Sequence, residues 1–131
     1  MKAQFSMNDV NIHYKFDNAK QSFKAFDEVF KFYYKELDKL AWTEELDIRK
    51  VVRDSLIQRF ECSVETCWKL LSQHLKECYG IYENELGIKM IDDRNLAAHT
   101  YKEETVEEIV RRIPDYHKLV KKIITIIKSN I

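Results

Sequence analysis

Phe16-Asp17-Asn18-Ala19-Lys20-Gln21-Ser22-Phe23-Lys24-Ala25-Phe26-Asp27-Glu28-Val29-Phe30-Lys31-Phe32-Tyr33 is the stretch that decides the fold class. Its apolar positions Phe16, Ala19, Phe23, Phe26, Phe30 and Tyr33 are separated by alternating steps of three and four, and the series continues through Leu37 and Leu40. Only a helix gathers such positions on one side, and this spacing is the seam of a helix packed along another helix. The pattern predicts a first helix of about 30 residues, roughly 45 Å long. An aromatic stripe can also serve as a base-stacking surface, but helical spacing assigns this one to a packed core.

Upstream, residues 1–9 read as a frayed arm. Downstream, Thr43 is a suitable N-cap, and Glu44 and Glu45 follow in the first turn, where the helix dipole favours carboxylates. The second helix then turns Val52, Leu56, Phe60, Val64, Cys67, Leu71 and Cys78 inward and stops at Gly80. The short link makes the first two helices antiparallel neighbours. A third, short helix covers about 85–98. Thr100 and Glu103 have the spacing of a capping box for the next helix, which buries Val106, Ile109, Val110 and Ile113. Pro114 removes a donor, so a kink or brief break is expected there. The apolar pattern then resumes in phase at Tyr116, Val120, Ile123, Ile124 and Ile127, giving a Pro-interrupted last helix to about 129.

The 131 residues contain only two Gly and one Pro, too little punctuation for strands and tight turns, so the chain reads as one all-α domain spanning 1–131. Charged residues make up 34% and hydrophobic residues 45%, a globular rather than disordered balance. The net charge of zero removes any global case for nucleic acid or a membrane surface, and there is no leader-like or membrane-spanning apolar run. Cys62, Cys67 and Cys78 are read as reduced thiols of a cytoplasmic protein. Cys67, His74 and Cys78 share a helix face, but nothing completes a tetrahedral ligand set, so no metal is expected. No cofactor motif is present. A glycine-rich phosphate loop, Gly-Ser followed by paired Asp, and a Ser-His-Asp signal are all missing, so the chain is not itself a nucleotidyltransferase.

Polar residues of catalytic type cluster in Asp92-Asp93-Arg94-Asn95-Leu96-Ala97-Ala98-His99-Thr100-Tyr101. Asn95 and His99 are one turn apart on a helix, whereas Arg94 and His99 fall roughly 140° apart. Two functional arrangements follow: the helix ends near Ala98 and His99 swings back, or Arg94 and His99 act with a second copy across a two-fold axis. The plainer alternative is a helix end, with Asp93 and Arg94 on a solvated face and His99 as a cap. The Arg-x4-His spacing is common by chance; Arg112 and His117 repeat it in the same chain. A further alternative places RNA phosphates on a basic stripe of Arg111, Lys118 and Lys122, although acid at the start and base at the end of one helix also suits its dipole.

Arg59-Phe60-Glu61-Cys62-Ser63-Val64-Glu65-Thr66-Cys67-Trp68-Lys69-Leu70-Leu71 and Asp93-Arg94-Asn95-Leu96-Ala97-Ala98-His99-Thr100-Tyr101, in this order, resemble the nucleotidyltransferase substrate-binding proteins of the HEPN superfamily. The resemblance spans about residues 10–128. It implies an up-and-down four-helix bundle with extra short helices, usually a homodimer, and a separate small nucleotidyltransferase as partner, sometimes in a toxin–antitoxin pair. It also implies that Arg94 and His99 match the catalytic pair of a metal-independent RNase, with Asn95 as their polar neighbour. Tyr101 then matches a tyrosine that the partner modifies with AMP in some pairs, and Asp93 and Tyr101 are candidate binding residues. The chain departs from the family pattern where only eleven residues separate Gly80 from Asp92, without the usual Pro-Arg element and short helix, and where Lys102 replaces a common Asp or Asn cap. These departures bear on a substrate or partner surface more than on the fold. Three functions stay open: a docking subunit, an RNase, and a purely structural helical dimer. Nucleotide or RNA remains open as a further ligand.

Overall fold

The computed structural model describes residues 12–36, 48–74, 85–99 and 102–131. Four helices occupy them: α1 Ile12–Lys31, continuing as a π-helical segment Phe32–Glu36, α2 Ile48–His74, α3 Glu85–Ala97 and α4 Glu103–Asn130. No described residue is in a strand. No helix among the described residues is long and apolar enough to cross a membrane.

Side-chain pairings set the directions of the helices. Phe26 of α1 meets Phe60 of α2, while Lys15 and Asn18 line a hollow with Thr66, Lys69 and Leu70, so α1 and α2 run antiparallel. Arg53 reaches Glu103 and Phe60 stacks on Tyr116, so α2 and α4 run parallel. Asp27 meets His117 and Tyr34 meets Val110, which makes α1 antiparallel to α4. This is the relation that an up-and-down bundle requires. The core is the expected seam: Phe16, Ala19, Phe26, Leu56, Phe60, Val64, Cys67, Leu71, Ile109, Ile113, Tyr116, Val120, Ile123 and Ile127 are all buried. Phe23, Phe30 and Tyr33 are partly buried against it, and Val52 is only half-buried.

Several local expectations are corrected. The first helix, expected to be one regular run, is α-helical over 20 residues and then π-helical over Phe32–Glu36, and its end lies outside the described residues. Beyond Lys31 the wider π turn inserts a residue into the stripe. Tyr34 thereby joins Tyr33 at the core edge and donates its hydroxyl to the Val110 carbonyl at 2.6 Å. Leu37, Leu40, the Thr43 cap and the Gly80 stop lie outside the described residues. The capping box is replaced: Lys102 is the N-cap of α4 and makes no side-chain cap bond. Glu103 instead binds Arg53 at 2.6 Å and Lys50 at 3.0 Å. Those cations, Arg53 before Lys50, hold its carboxyl down at about 2. The tertiary ion pairs therefore take the carboxylate that a local cap would have used. Nor does Pro114 break the last helix, which is continuous through it. One donor is lost there, but Ile113 and Tyr116 on either side are both fully buried, and their packing keeps the two halves in phase.

Cys67 is buried, and burial pushes its thiol up to about 12, which makes it an inert packing group; Cys62 is exposed. Cys78 and the side chain of His74 lie outside the described residues.

Among the described residues, His117 is the one histidine in the core. Its ring stacks on Phe30 at 4.0 Å, touches Phe23 and Phe26, and shares a hydrogen bond of 2.8 Å with Asp27. Asp27 also pairs with Lys31 at 2.9 Å. Burial lowers the imidazole pKa more than Asp27 raises it, and Lys121 and Lys31 push it down further. A histidine depressed in the native state binds its proton more readily after unfolding, so its contribution is complete above the unfolded value near 6.5 and is lost as pH falls through the folded value. Unfolding free energy measured in urea should decline between pH 7 and pH 5, and His117→Gln should flatten that slope.

Candidate functional site: the α3 motif against α2

The motif helix α3 presents two faces. Gly87, Met90 and Asp93 are buried, and Ala97 packs beside them against the core. Ile88, Asp92, Asn95, Leu96 and His99 recur at helical spacing on the opposite, exposed face. The helix ends at Ala97, and a turn closes it through hydrogen bonds from Ala98 N to Arg94 O and from His99 N to Leu96 O.

Asp93 departs from the solvated alternative. It is 5% exposed and faces α4. Arg112 grips it with two parallel bonds, Nε to Oδ2 at 2.7 Å and a terminal nitrogen to Oδ1 at 2.9 Å, and Tyr116 donates its hydroxyl to Oδ2. Burial raises the Tyr116 pKa, and Asp93 raises it further, so the phenol stays a donor; the same carboxylate raises the pKa of Arg112. Both oxygens of Asp93 are thus engaged within the bundle, and the residue ties α3 to α4. The sequence repeat Arg112…His117 is resolved in the same way: Arg112 serves Asp93 and His117 serves Asp27.

Arg94 lies at the flank, about a third exposed, and turns toward α2. It donates to Glu65 Oε2 at 2.6 Å and to Asn95 Oδ1 at 2.9 Å, while its Nε is buried without a partner. Glu65 is also paired with Lys69 at 3.0 Å, so one carboxylate bridges two cations, and Lys69 and Arg94 hold its pKa below the usual carboxylate range. Glu61, one turn earlier on α2, is pushed up by burial, while Arg94 and His99 pull it down. Arg94 and His99 therefore both lie within electrostatic reach of Glu61, yet no hydrogen bond joins Arg94 to His99 among the described residues. Tyr101 lies outside those residues.

A pocket of about 200 Å³ opens beside Arg94, lined by Val64, Glu65, Trp68, Lys69, Ile91, Arg94 and Asn95. Spacing within the motif gave no sign of the α2 members. The available signal was Glu61, Glu65 and Lys69 at successive turns, with Val64 and Trp68 one turn apart, in the segment that carried the family resemblance. Among the described residues, no group of three or more His, Cys, Asp or Glu side chains is arranged to hold a metal ion.

Residues 77–129 match the model of the family described as nucleotidyltransferase substrate binding protein like, the family that the two sequence segments resemble. The match covers α3, the Asp93–Arg112–Tyr116 network and nearly all of α4, and leaves α1 and α2 outside it. No curated protein and no solved structure matches the chain.

Asp93→Asn should leave Arg112 without its counter-charge and cost about 2 kcal/mol, a buried-pair loss discounted for the partial exposure of Arg112. Asp92→Asn, one residue earlier but exposed, should stay within about 0.5 kcal/mol of the parent. Parallel thermal melts of the two variants check the contrast.

Proposed function

We propose that the chain is the partner subunit of a small nucleotidyltransferase and works as a HEPN-type two-fold dimer, paired as in toxin–antitoxin systems. The family match over residues 77–129 supports a nucleotidyltransferase substrate-binding role. The observation that carries the assembly is the exposed face of α3. Ile88 is 52% and Leu96 is 45% exposed, on the α3 face that also carries Asn95 and His99. Single exposed apolar residues are ordinary, but two on one helix face around a polar motif suit a surface that another chain covers. Tyr101, two residues beyond His99, is the proposed acceptor of an AMP group from the partner, with the phenol oxygen attacking the α-phosphorus of ATP and pyrophosphate leaving.

Purified alone, the chain should scatter light as twice its monomer mass, and Ile88→Lys together with Leu96→Lys should return it to a monomer with unchanged helicity. Co-expression with a nucleotidyltransferase encoded beside it should yield one complex in size exclusion. Separate elution at low salt would remove the docking role.

The second reading, a metal-independent RNase, is favoured by the position of Arg94 and His99, which both act electrostatically on Glu61 of α2. In this reading neutral His99 takes the proton of a ribose 2′-hydroxyl, and that oxygen attacks the adjacent phosphorus. The 5′-oxygen leaves and is protonated by the protonated His99 of the second copy. The products are a 2′,3′-cyclic phosphate and a 5′-hydroxyl. Arg94 stabilises the charge that develops on the phosphorane with its aligned donors, and Asn95 holds the guanidinium and lies one turn from His99. Single-stranded RNA should be cut in EDTA. Arg94→Ala and His99→Ala should each lower the rate by about 100-fold or more, at an unchanged melting temperature. Equal cleavage by parent and His99→Ala would assign the activity to a contaminant.

A further inference from the structure

We infer that the pocket between α2 and α3 binds one nucleotide unit, its base against Trp68 and its phosphate between Lys69 and Arg94, where the Glu65 carboxylate now sits. The inference deepens the RNA reading of the Arg94 site and rests on it for the nature of the ligand.

The pocket has two kinds of lining. Val64 and Ile91 form an apolar floor, and Trp68 supplies an aromatic wall that is about a third exposed. An apolar slot of about 200 Å³ with an indole at its edge suits a flat ring. The rim is charged. Lys69 lies 3.0 Å from Glu65 Oε1 and Arg94 lies 2.6 Å from Glu65 Oε2, so a single carboxylate holds two cations on either side of itself. That is the geometry of an anion site occupied by the protein's own anion. A phosphate has the charge and the oxygen spacing to take the same position, and a guanidinium accepts it with parallel donors.

The exchange is physically cheap. Glu65 is more than a third exposed, so its carboxylate can rotate into water without being left buried and unpaired. Arg94 makes one hydrogen bond from each terminal nitrogen, to Asn95 and to Glu65, so each keeps a second N–H for an incoming oxygen. A base reaches such a slot only when it is unstacked. The site therefore takes a free nucleotide or a residue of single-stranded RNA and excludes a base-paired one.

The chain has two tryptophans, so Trp42→Phe leaves Trp68 as the sole reporter. Titration of that folded protein with AMP, and with a short 2′-O-methyl single-stranded oligonucleotide that cannot be cleaved, should quench its fluorescence saturably. Adenosine and inorganic phosphate should each bind more weakly than AMP. Glu65→Gln should tighten binding by roughly two- to fivefold, the scale of an exposed ion pair, because a competitor anion is gone. Lys69→Met should loosen it. Trp68→Ala, read by calorimetry, should weaken it by about 5- to 100-fold. Saturable quenching by AMP alone identifies a free nucleotide as the ligand, and quenching by the oligonucleotide alone identifies an RNA residue; either result supports the pocket. No quenching by both probes, binding of adenosine as tight as AMP, or weaker binding in Glu65→Gln overturns it. Cleavage of RNA without quenching ends this inference and spares the RNase reading. Quenching without cleavage does the reverse.

Discussion

The buried carboxylate of Asp93 is the constraint on which the bundle depends. An ionised group in a helical core is tolerated only when its oxygens are satisfied, and Arg112 and Tyr116 satisfy both. Tyr116 is itself fully buried and stacks on Phe60 of α2, which in turn contacts Phe26 of α1. A single run of contacts, Phe26 to Phe60 to Tyr116 to Asp93, thus passes through all four helices. The apolar part of that run sets the spacing of the helices. Its polar end sets the rotation of α3, because only one rotation brings a carboxylate to a fixed guanidinium fork.

The same rotation determines what α3 offers to the outside. With Asp93 pointing into the bundle, Arg94 necessarily falls at the flank facing α2, and Asn95 and His99 face outward. A second ion system, at the α4 N-terminus, works alongside it. Arg53, almost fully buried, holds Glu103 and Glu107 and so ties the start of α2 to the start of α4. Among the described residues, the polar contacts between helices gather near α3 and at the α4 N-terminus, while the His117–Asp27 pair and the Tyr34–Val110 hydrogen bond join α1 and its π-helical continuation to α4.

Two copies of one short spacing show how far local sequence carries function. Arg94…His99 and Arg112…His117 are equivalent as strings. In the fold, Arg112 is bound to Asp93 and His117 is enclosed by Phe23, Phe26 and Phe30, whereas Arg94 borders a pocket and His99 is exposed. The difference is burial. A string of residues records which groups are available, but not whether another helix has already engaged them.

Much of the architecture was legible without coordinates. Steps of three and four at Phe16 through Tyr33, and the in-phase stripe on both sides of Pro114, determine helices and their inner faces because helical geometry is periodic and local. The scarcity of Gly and Pro determines the all-α class for a similar reason. Only the tertiary structure decided that Glu103 serves Arg53 rather than a cap, that Asp93 turns inward, and that Glu61, Glu65, Trp68 and Lys69 of α2 complete the neighbourhood of Arg94. Those pairings join residues about 20 to 50 positions apart in the chain. They depend on the rotation of one helix against another, a quantity set by packing and by the satisfaction of buried charge, which no periodicity within a single helix contains.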